Sequence, residues 1–192
     1  AIGTSALATE DTGNFNTAVG YEALTTQNRD GTVNNTAVGY RAGYAVTTGY
    51  ENAILGGNAG LALTEGFENT LIGANTAPAL TTGDFNVAVG SDALGSEDVG
   101  RGTTAVGYYA GNDTQSRSAT AIGFQAGEKM QSEQSVSVGY FAGNDLNRFE
   151  ELKKVQKSKL IIFAKGGWGS ARLLEKDLTW GHGLMLGFSD TC

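Results

Sequence analysis

The chain has 192 residues, with 29 Gly, a single Pro, a single Cys and a net charge of −7. Abundant Gly with almost no Pro and no Gly-X-Y period excludes collagen, and 40% apolar residues exceed what a disordered linker carries. Cys192 on its own excludes an internal disulfide and a cysteine metal cluster; no apolar run approaches the ~20 residues of a membrane-spanning helix.

Charge is uneven along the chain. Residues 1–143 hold 14 acidic and 5 basic side chains, net −9, whereas residues 144–192 hold 6 acidic and 8 basic, net +2. An acidic body argues against binding the backbone of nucleic acids, which needs Lys and Arg on a face. It reads instead as the solvated surface of an extended molecule. The chain opens on Ala1 rather than Met, as a fragment or a processed product would, and no cleavable signal peptide is visible.

From the first residue the chain repeats one phrase, seen as "FNTAVGYEAL" at 15–24, "NNTAVGYRAG" at 34–43 and "RGTTAVGYYAG" at 101–111. Its anchor glycine recurs at Gly3, Gly20, Gly39, Gly56, Gly73, Gly90, Gly107, Gly123 and Gly139, at spacings of 16 to 19 residues. Immediately before the anchor stand Ile2, Val19, Val38, Leu55, Ile72, Val89, Val106, Ile122 and Val138. Three after it stand Ala6, Ala23, Ala42, Ala59, Thr76, Ala93, Ala110, Ala126 and Ala142. A unit of this length is too short for a helical-hairpin repeat, and its Gly, Thr, Val and Asn disfavour helix. The phrase alternates as a strand does: Thr36 and Val38 on one side, Asn35, Ala37 and Gly39 on the other.

A second apolar stretch follows in several copies, "AVTTG" at 45–49, "ALTEG" at 62–66 and "ALTTG" at 79–83. Each unit therefore reads as strand, turn, strand, turn, which is one coil of a β-solenoid. Only a neighbouring coil of similar path can satisfy backbone groups pointing along the axis. Nine coils at ~4.8 Å would make a rod of roughly 43 Å. The nine branched residues before the anchors are expected to form the inner ladder, each burial contributing roughly 1.5–3 kcal/mol.

Two further ladders share the period. Asn16, Asn35, Asn52, Asn69 and Asn86 lie four before the anchor and are expected to bond one another or the turn, with metal binding as the alternative. Tyr21, Tyr40, Tyr108, Phe124 and Tyr140 lie one after it. They either pack between coils or subunits or form a stripe for a surface ligand such as a sugar.

After Gly143 the rhythm stops. Residues 144–158 place Leu146, Phe149, Leu152 and Val155 near one face of a short amphipathic helix, with Asn144 or Asp145 as N-cap. "KLIIFAK" (159–165) reads as a strand, "GGWGSAR" (166–172) as a turn, and "LTWGHGLMLGF" (178–188) as a closing strand. The expected organisation is a β-roll over 1–143 and a small α+β cap over 144–192. His182 is the only His, with no second His or Cys to build a dyad or metal site around it. "GGWG" lacks the Lys of a phosphate loop and the Asp of calcium-binding repeats; Asn34 and Asn112 begin N-x-[ST] triplets of the sort Asn- and Thr-rich repeats produce by chance. No cofactor, no metal and no catalytic residue is expected.

The phrases "NNTAVGYRAG", "TTAVGYYAG" and "ATAIGFQAG" resemble the glycine-rich repeats of bacteriophage tail fibres, and those of the head domains of trimeric autotransporter adhesins. The resemblance covers residues 1–143. It implies a parallel β-roll, left-handed in the adhesin heads, assembled as a homotrimer along one axis; adhesin-head coils are a little shorter than these. Ser189-Asp190 also resembles the start of the self-cleaving chaperone that follows many phage fibres. The expectation is thus a structural fibre segment of the virion, serving as shaft and host-surface adhesin. Its partners would be two further copies, other fibre or tail proteins, and a host glycan or protein. The alternatives are a bacterial surface adhesin head and, from another class, an ice- or glycan-binding solenoid. The latter would need outward Thr ladders, whereas Thr17, Thr36, Thr70, Thr104 and Thr120 are expected to point inward. An enzyme acting on surface polysaccharide stands last.

Overall fold

A computed structural model describes residues 1–113, 117–128 and 134–143, together with the backbone of 161–162 and 185–186. Among these residues the regular elements are all β, and there is no helix. They are β1 (Gly13–Asn14), β2 (Thr17–Val19), β3 (Gly31–Thr32), β4 (Thr36–Val38), β5 (Ala53–Leu55), β6 (Thr70–Ile72), β7 (Val87–Val89), β8 (Thr104–Val106), β9 (Thr120–Ile122), β10 (Val136–Val138), β11 (Ile161–Ile162) and β12 (Met185–Leu186). Eight of them, β2 and β4 to β10, stack in sequence order into one wholly parallel sheet. Register sets repeat over repeat, with Thr17 on Thr36, Ala18 on Ala37 and Val19 on Val38. Ile2 continues the stack through a single bridge to Val19. Parallel strands joined in order by one circuit of turns make a β-solenoid, with seven full turns between β2 and β10.

Backbone hydrogen bonds run from coil to coil. The Gly56 amide donates to the Val38 carbonyl at 2.9 Å, and the Ala53 amide donates in the opposite direction to Asn69 O at 2.8 Å. The turns are joined the same way: Asn58 N–H donates to Tyr40 O at 2.8 Å and Gly60 N–H to Thr76 O at 2.9 Å. Around most of its circuit, then, a coil finds its backbone partners in its two neighbours.

That close stacking explains the anchor glycine. Gly39, Gly56, Gly73 and Gly90 have φ from 133° to 140°, a region L side chains avoid. A Cβ on Gly56 would lie 2.2 Å from the Gly73 carbonyl oxygen, inside its van der Waals shell. Conformation and clearance demand glycine independently.

From β4 onward each described coil has one strand rather than the expected two; only the first two coils add a second short strand, β1 pairing with β3. After the anchor come two successive reverse turns, closed by Ala59 N–H to Gly56 O at 3.4 Å and Leu63 N–H to Gly60 O at 3.1 Å. Asn58, at φ 55°, holds the left-handed conformation its turn needs at the third position, and Gly60, also at φ 55°, links the two turns. The apolar run "ALTEG" cannot extend through them, and it contributes Leu63 to the interior instead.

The parity read from the strand phrase is right, but the assignment of its sides is reversed. Ala18, Ala37, Ile54, Leu71, Ala88, Ala105 and Ala121, the middle residues of their strands, are buried. The expected inner ladder faces outward: Ile2 is 70% exposed, Leu55 48%, Ile122 40% and Val138 41%. Val19, Val38, Ile72, Val89 and Val106 are half-buried on the same outer face. The physical reason is width. Two turns and a strand only three residues long enclose a lumen that Ala, one larger aliphatic per level and an Asn side chain already fill.

Interior volume is shared among three positions. Where Leu24 or Leu94 stands four after the anchor, Gln27 or Glu97 occupies the site seven after it. Where Gly43, Gly60 or Ala77 stands there, the later site is Val46, Leu63 or Leu80. A Cβ on Gly43 would come within 2.9 Å of both Ile54 Cδ1 and Leu24 Cδ2, so the glycine makes room for them.

Past Gly143, the helix expected over 144–158, the turn over 166–172, His182 and Cys192 lie outside the described residues. Of the expected cap, the structure gives only β11 and β12, which pair in parallel and fall within the two stretches read as strands.

Adjacent glycines give a matched test. Gly56→Ala is expected to destabilise the chain by at least about 2–3 kcal/mol. Gly57→Ala, where a Cβ meets nothing within 4 Å, should stay within about 0.5 kcal/mol of the parent. Denaturant midpoints of the two variants decide it.

Candidate functional site

Three features could carry function: the buried asparagine column, the aromatic columns, and the outward face of the sheet.

The asparagines form a continuous internal spine. Asn69 Nδ2 donates to Asn52 Oδ1 at 3.0 Å and to the Gly83 carbonyl at 2.8 Å. Its Oδ1 accepts from the Asn86 amide at 3.0 Å and from Asn86 Nδ2 at 3.1 Å. The same pattern links Asn35 to Asn52, and it closes where Thr103 N–H donates to Asn86 Oδ1 at 2.9 Å. At the other end, Asn35 Nδ2 donates to Gln27 Oε1 at 2.7 Å. These amides, all buried, satisfy one another and the turn carbonyls, as expected from the sequence. Among the described residues no three His, Cys, Asp or Glu side chains converge to hold a metal ion.

The aromatic residues after the anchors fall into two blocks. Tyr21 and Tyr40 stack at 5.5 Å with planes 8° apart. Tyr108 and Phe124 stack at 5.3 Å, and Phe124 and Tyr140 at 5.4 Å. Between the blocks the equivalent positions are Gly57, Ala74 and Ser91. Most ring faces are therefore taken up by neighbouring coils. Tyr40 on its Gly57 side and Tyr108 on its Ser91 side have no aromatic neighbour in the column.

Beside the first block Glu22 and Arg41 form an ion pair at 2.6 Å. The Arg41 guanidinium holds the Glu22 carboxyl below its usual range, and Glu22 in turn raises Arg41. Tyr21 is a weaker acid than usual, chiefly through its hydrogen bond with Glu22. The Asp92 carboxylate does the same to Tyr109. A half-exposed pair of this kind aligns neighbouring coils more than it stabilises them.

A second aromatic column was missed in the sequence. Tyr50 stacks on Phe67 at 4.8 Å, and Phe67 meets Phe85 edge-on at 5.1 Å. Arg29 lies 3.9 Å over the Tyr50 ring and Arg101 lies 5.3 Å over Phe85. The signal was available, since Tyr50, Phe67 and Phe85 recur at spacings of 17 and 18 residues. These rings stand five or six before the anchor, away from the phrase that draws attention.

The third feature is the outer face itself. Its two rows are the aliphatics from Ile2 to Val138 and, beside them, Thr17, Thr36, Ala53, Thr70, Val87, Thr104, Thr120 and Val136. Strand alternation turns the threonines outward too, against expectation. Thr17 and Thr36 are exposed, and Thr70, Thr104 and Thr120 are half-buried. No helix among the described residues is long and apolar enough to cross a membrane.

Replacing Asn69 by Ala removes the donor to Gly83 O and the acceptor for Asn86 N–H together. We expect a loss of about 3 kcal/mol or more, measured by chemical denaturation, whereas a loss under about 1 kcal/mol would mean that the spine is not sealed from water. Comparison with protein families, with curated proteins and with solved structures finds no match to this chain.

Proposed function

We propose that the chain is a structural segment of a homotrimeric fibre of the phage tail-fibre type, acting as a stiff shaft and as a non-enzymatic adhesin for a host surface. The observation that carries this reading is the outward row of branched side chains. A single chain leaves Leu55, Ile122 and Val138 about two-fifths to one-half exposed on one continuous sheet face. Contiguous apolar faces of this kind are covered by a partner in soluble assemblies. Every strand of the sheet runs in the same direction, so copies placed around one axis can meet row to row with the same polarity.

In that assembly the aliphatic rows line the shared axis, and the loops and outer aromatics face the host. The exposed rings of Tyr40 and Tyr108, at the ends of their blocks, suit the apolar side of a pyranose, or a host protein side chain. Each contact is weak, and three chains repeat it. Other fibre or tail proteins would join the ends. A bacterial trimeric adhesin head uses the same physics and places the protein at a cell surface rather than on a virion. The small α+β cap over 144–192 and the left-handed path of the roll belong to this proposal as well.

One observation favours a second reading. Thr17, Thr36, Thr70, Thr104 and Thr120 face outward, as an ice-binding solenoid would need. Ala53, Val87 and Val136 interrupt the row, and the adjoining row is aliphatic throughout, which favours self-association.

Val89→Asp separates the readings. The side chain is on the outer face, so a charge there should spare the coil and break the assembly, because burying an unpaired carboxylate between chains costs several kcal/mol. Sedimentation should give three times the chain mass for the parent and one chain mass for the variant, with β-type circular dichroism unchanged. A monomeric parent that shapes ice crystals would favour the second reading.

A further inference from the structure

The position seven after the anchor is interior in every coil in which it is described, except at the exposed first turn. It is apolar at Val46, Leu63 and Leu80, and an amide at Gln27. Glu97 is the exception: a carboxylate 1% exposed, inside the roll. Gln27 is satisfied on both sides, accepting from Asn35 Nδ2 at 2.7 Å and donating through Nε2 to Thr47 O at 3.0 Å. Glu10, the other carboxylate at this position, lies in the open first coil. It accepts from Gly13 N–H at 2.5 Å and from Asn16 Nδ2 at 3.1 Å. Both partners of the amide type come from the asparagine column.

At Glu97 that column has ended. Thr103 stands where Asn16 serves Glu10, and it carries no amide. The Glu97 carboxyl reaches the backbone N–H groups of Val99 and Gly100 on its own turn. Its second oxygen, Oε2, is buried without a hydrogen-bond partner. A Cβ on Gly100 would fall 2.7 Å from Glu97 Cδ, so the turn has glycine where the carboxyl group packs. Among the described residues the charges acting on it are Asp98 on the same turn and Asp113 on the next coil, both acidic. Among the described residues no three His, Cys, Asp or Glu side chains are placed to hold a metal ion.

We propose that Glu97 is a proton-controlled joint in the rod: it is held as the neutral acid when the coils anchored at Gly90 and Gly107 are stacked, and its ionisation weakens that stacking. Burying a hydroxyl without a partner costs far less than burying a charge beside two carboxylates. The direction of its acidity agrees. Burial, followed by Asp98 and Asp113, pushes Glu97 from 4.5 up to about 7, against the pull of the two backbone N–H groups. Since the folded chain holds this proton more tightly than the unfolded chain, the stability it confers is complete below pH 4.5 and is lost as pH rises through about 7. The joint therefore tightens in acid and loosens at mildly alkaline pH, independently of how many chains assemble.

The test compares the parent chain with Glu97→Gln from pH 5 to pH 8. The amide removes the titration while keeping the shape, as Gln27 shows for the same position. We expect the folding equilibrium of the parent, relative to the variant, to fall on the order of a hundredfold across this range. In parallel, the carboxyl 13C resonance of Glu97 in the parent should titrate near pH 7, a measurement that needs no variant to fold. Parallel stability profiles, or a Glu97 resonance that titrates near 4.5, would overturn the proposal.

Discussion

One contact governs this structure: glycine over glycine along the axis. The carbonyl of each anchor sits where the Cβ of the anchor before it would have to be, 2.2 to 2.6 Å away for Gly20, Gly39, Gly56 and Gly73. Because that approach is shared by successive coils, the strands that precede the anchors can hydrogen-bond without offset. The rows of Thr, Ala and Val then fall into register. A coil that could not come so close would leave amides such as Gly56 N–H and Ala53 N–H unpaired on opposite sides. Anchor, strand and turn therefore repeat as one unit rather than drifting separately.

The narrow lumen follows from the same constraint and decides what can lie inside. Ala fills the strand level at Ala18, Ala37, Ala88, Ala105 and Ala121, and Ile54 and Leu71 enter where Gly43 and Gly60 clear the opposite wall. Asparagine is admitted because its amide bridges successive coils with both donor and acceptor in use. The branched aliphatics that precede the anchors are left on the outer face, where they make a surface rather than a core. A row of aliphatics on the outside, beside an apolar interior threaded by a column of amides, is a local reversal of the usual arrangement of a globular domain. The proposed assembly of copies resolves that reversal, since the aliphatic rows would be interior to the assembly.

Architecture was legible because periodicity is a one-dimensional signal. Anchors at Gly3 to Gly139 announce the coils, and the asparagine column could be read from spacing with its bonding role correct. What was not legible is which side of a three-residue strand is inside. Alternation separates Ala37 from Val38 but does not say which of them faces the lumen, and hydrophobicity alone chooses valine. The choice is made by lumen width, which depends on the paired turns at Gly56–Ala59 and Gly60–Leu63. The second of those turns runs into the stretch read as a second strand, because Ala62-Leu63 looks extended when its hydrogen bonds are not known. The exchange of Leu94 with Glu97 for Ala77 with Leu80 was also present in the letters. It becomes meaningful only once both positions are known to share one cavity.

The most direct test of the coil stacking is through-hydrogen-bond scalar coupling in an isotope-labelled sample. The account requires couplings from the Gly56 amide to the Val38 carbonyl, from Gly73 to Leu55 and from Gly90 to Ile72, at separations of 2.8 to 2.9 Å. Observing all three would establish the register of four successive coils at once. Couplings from these amides to carbonyls within their own coil, or to carbonyls shifted by one residue, would contradict it.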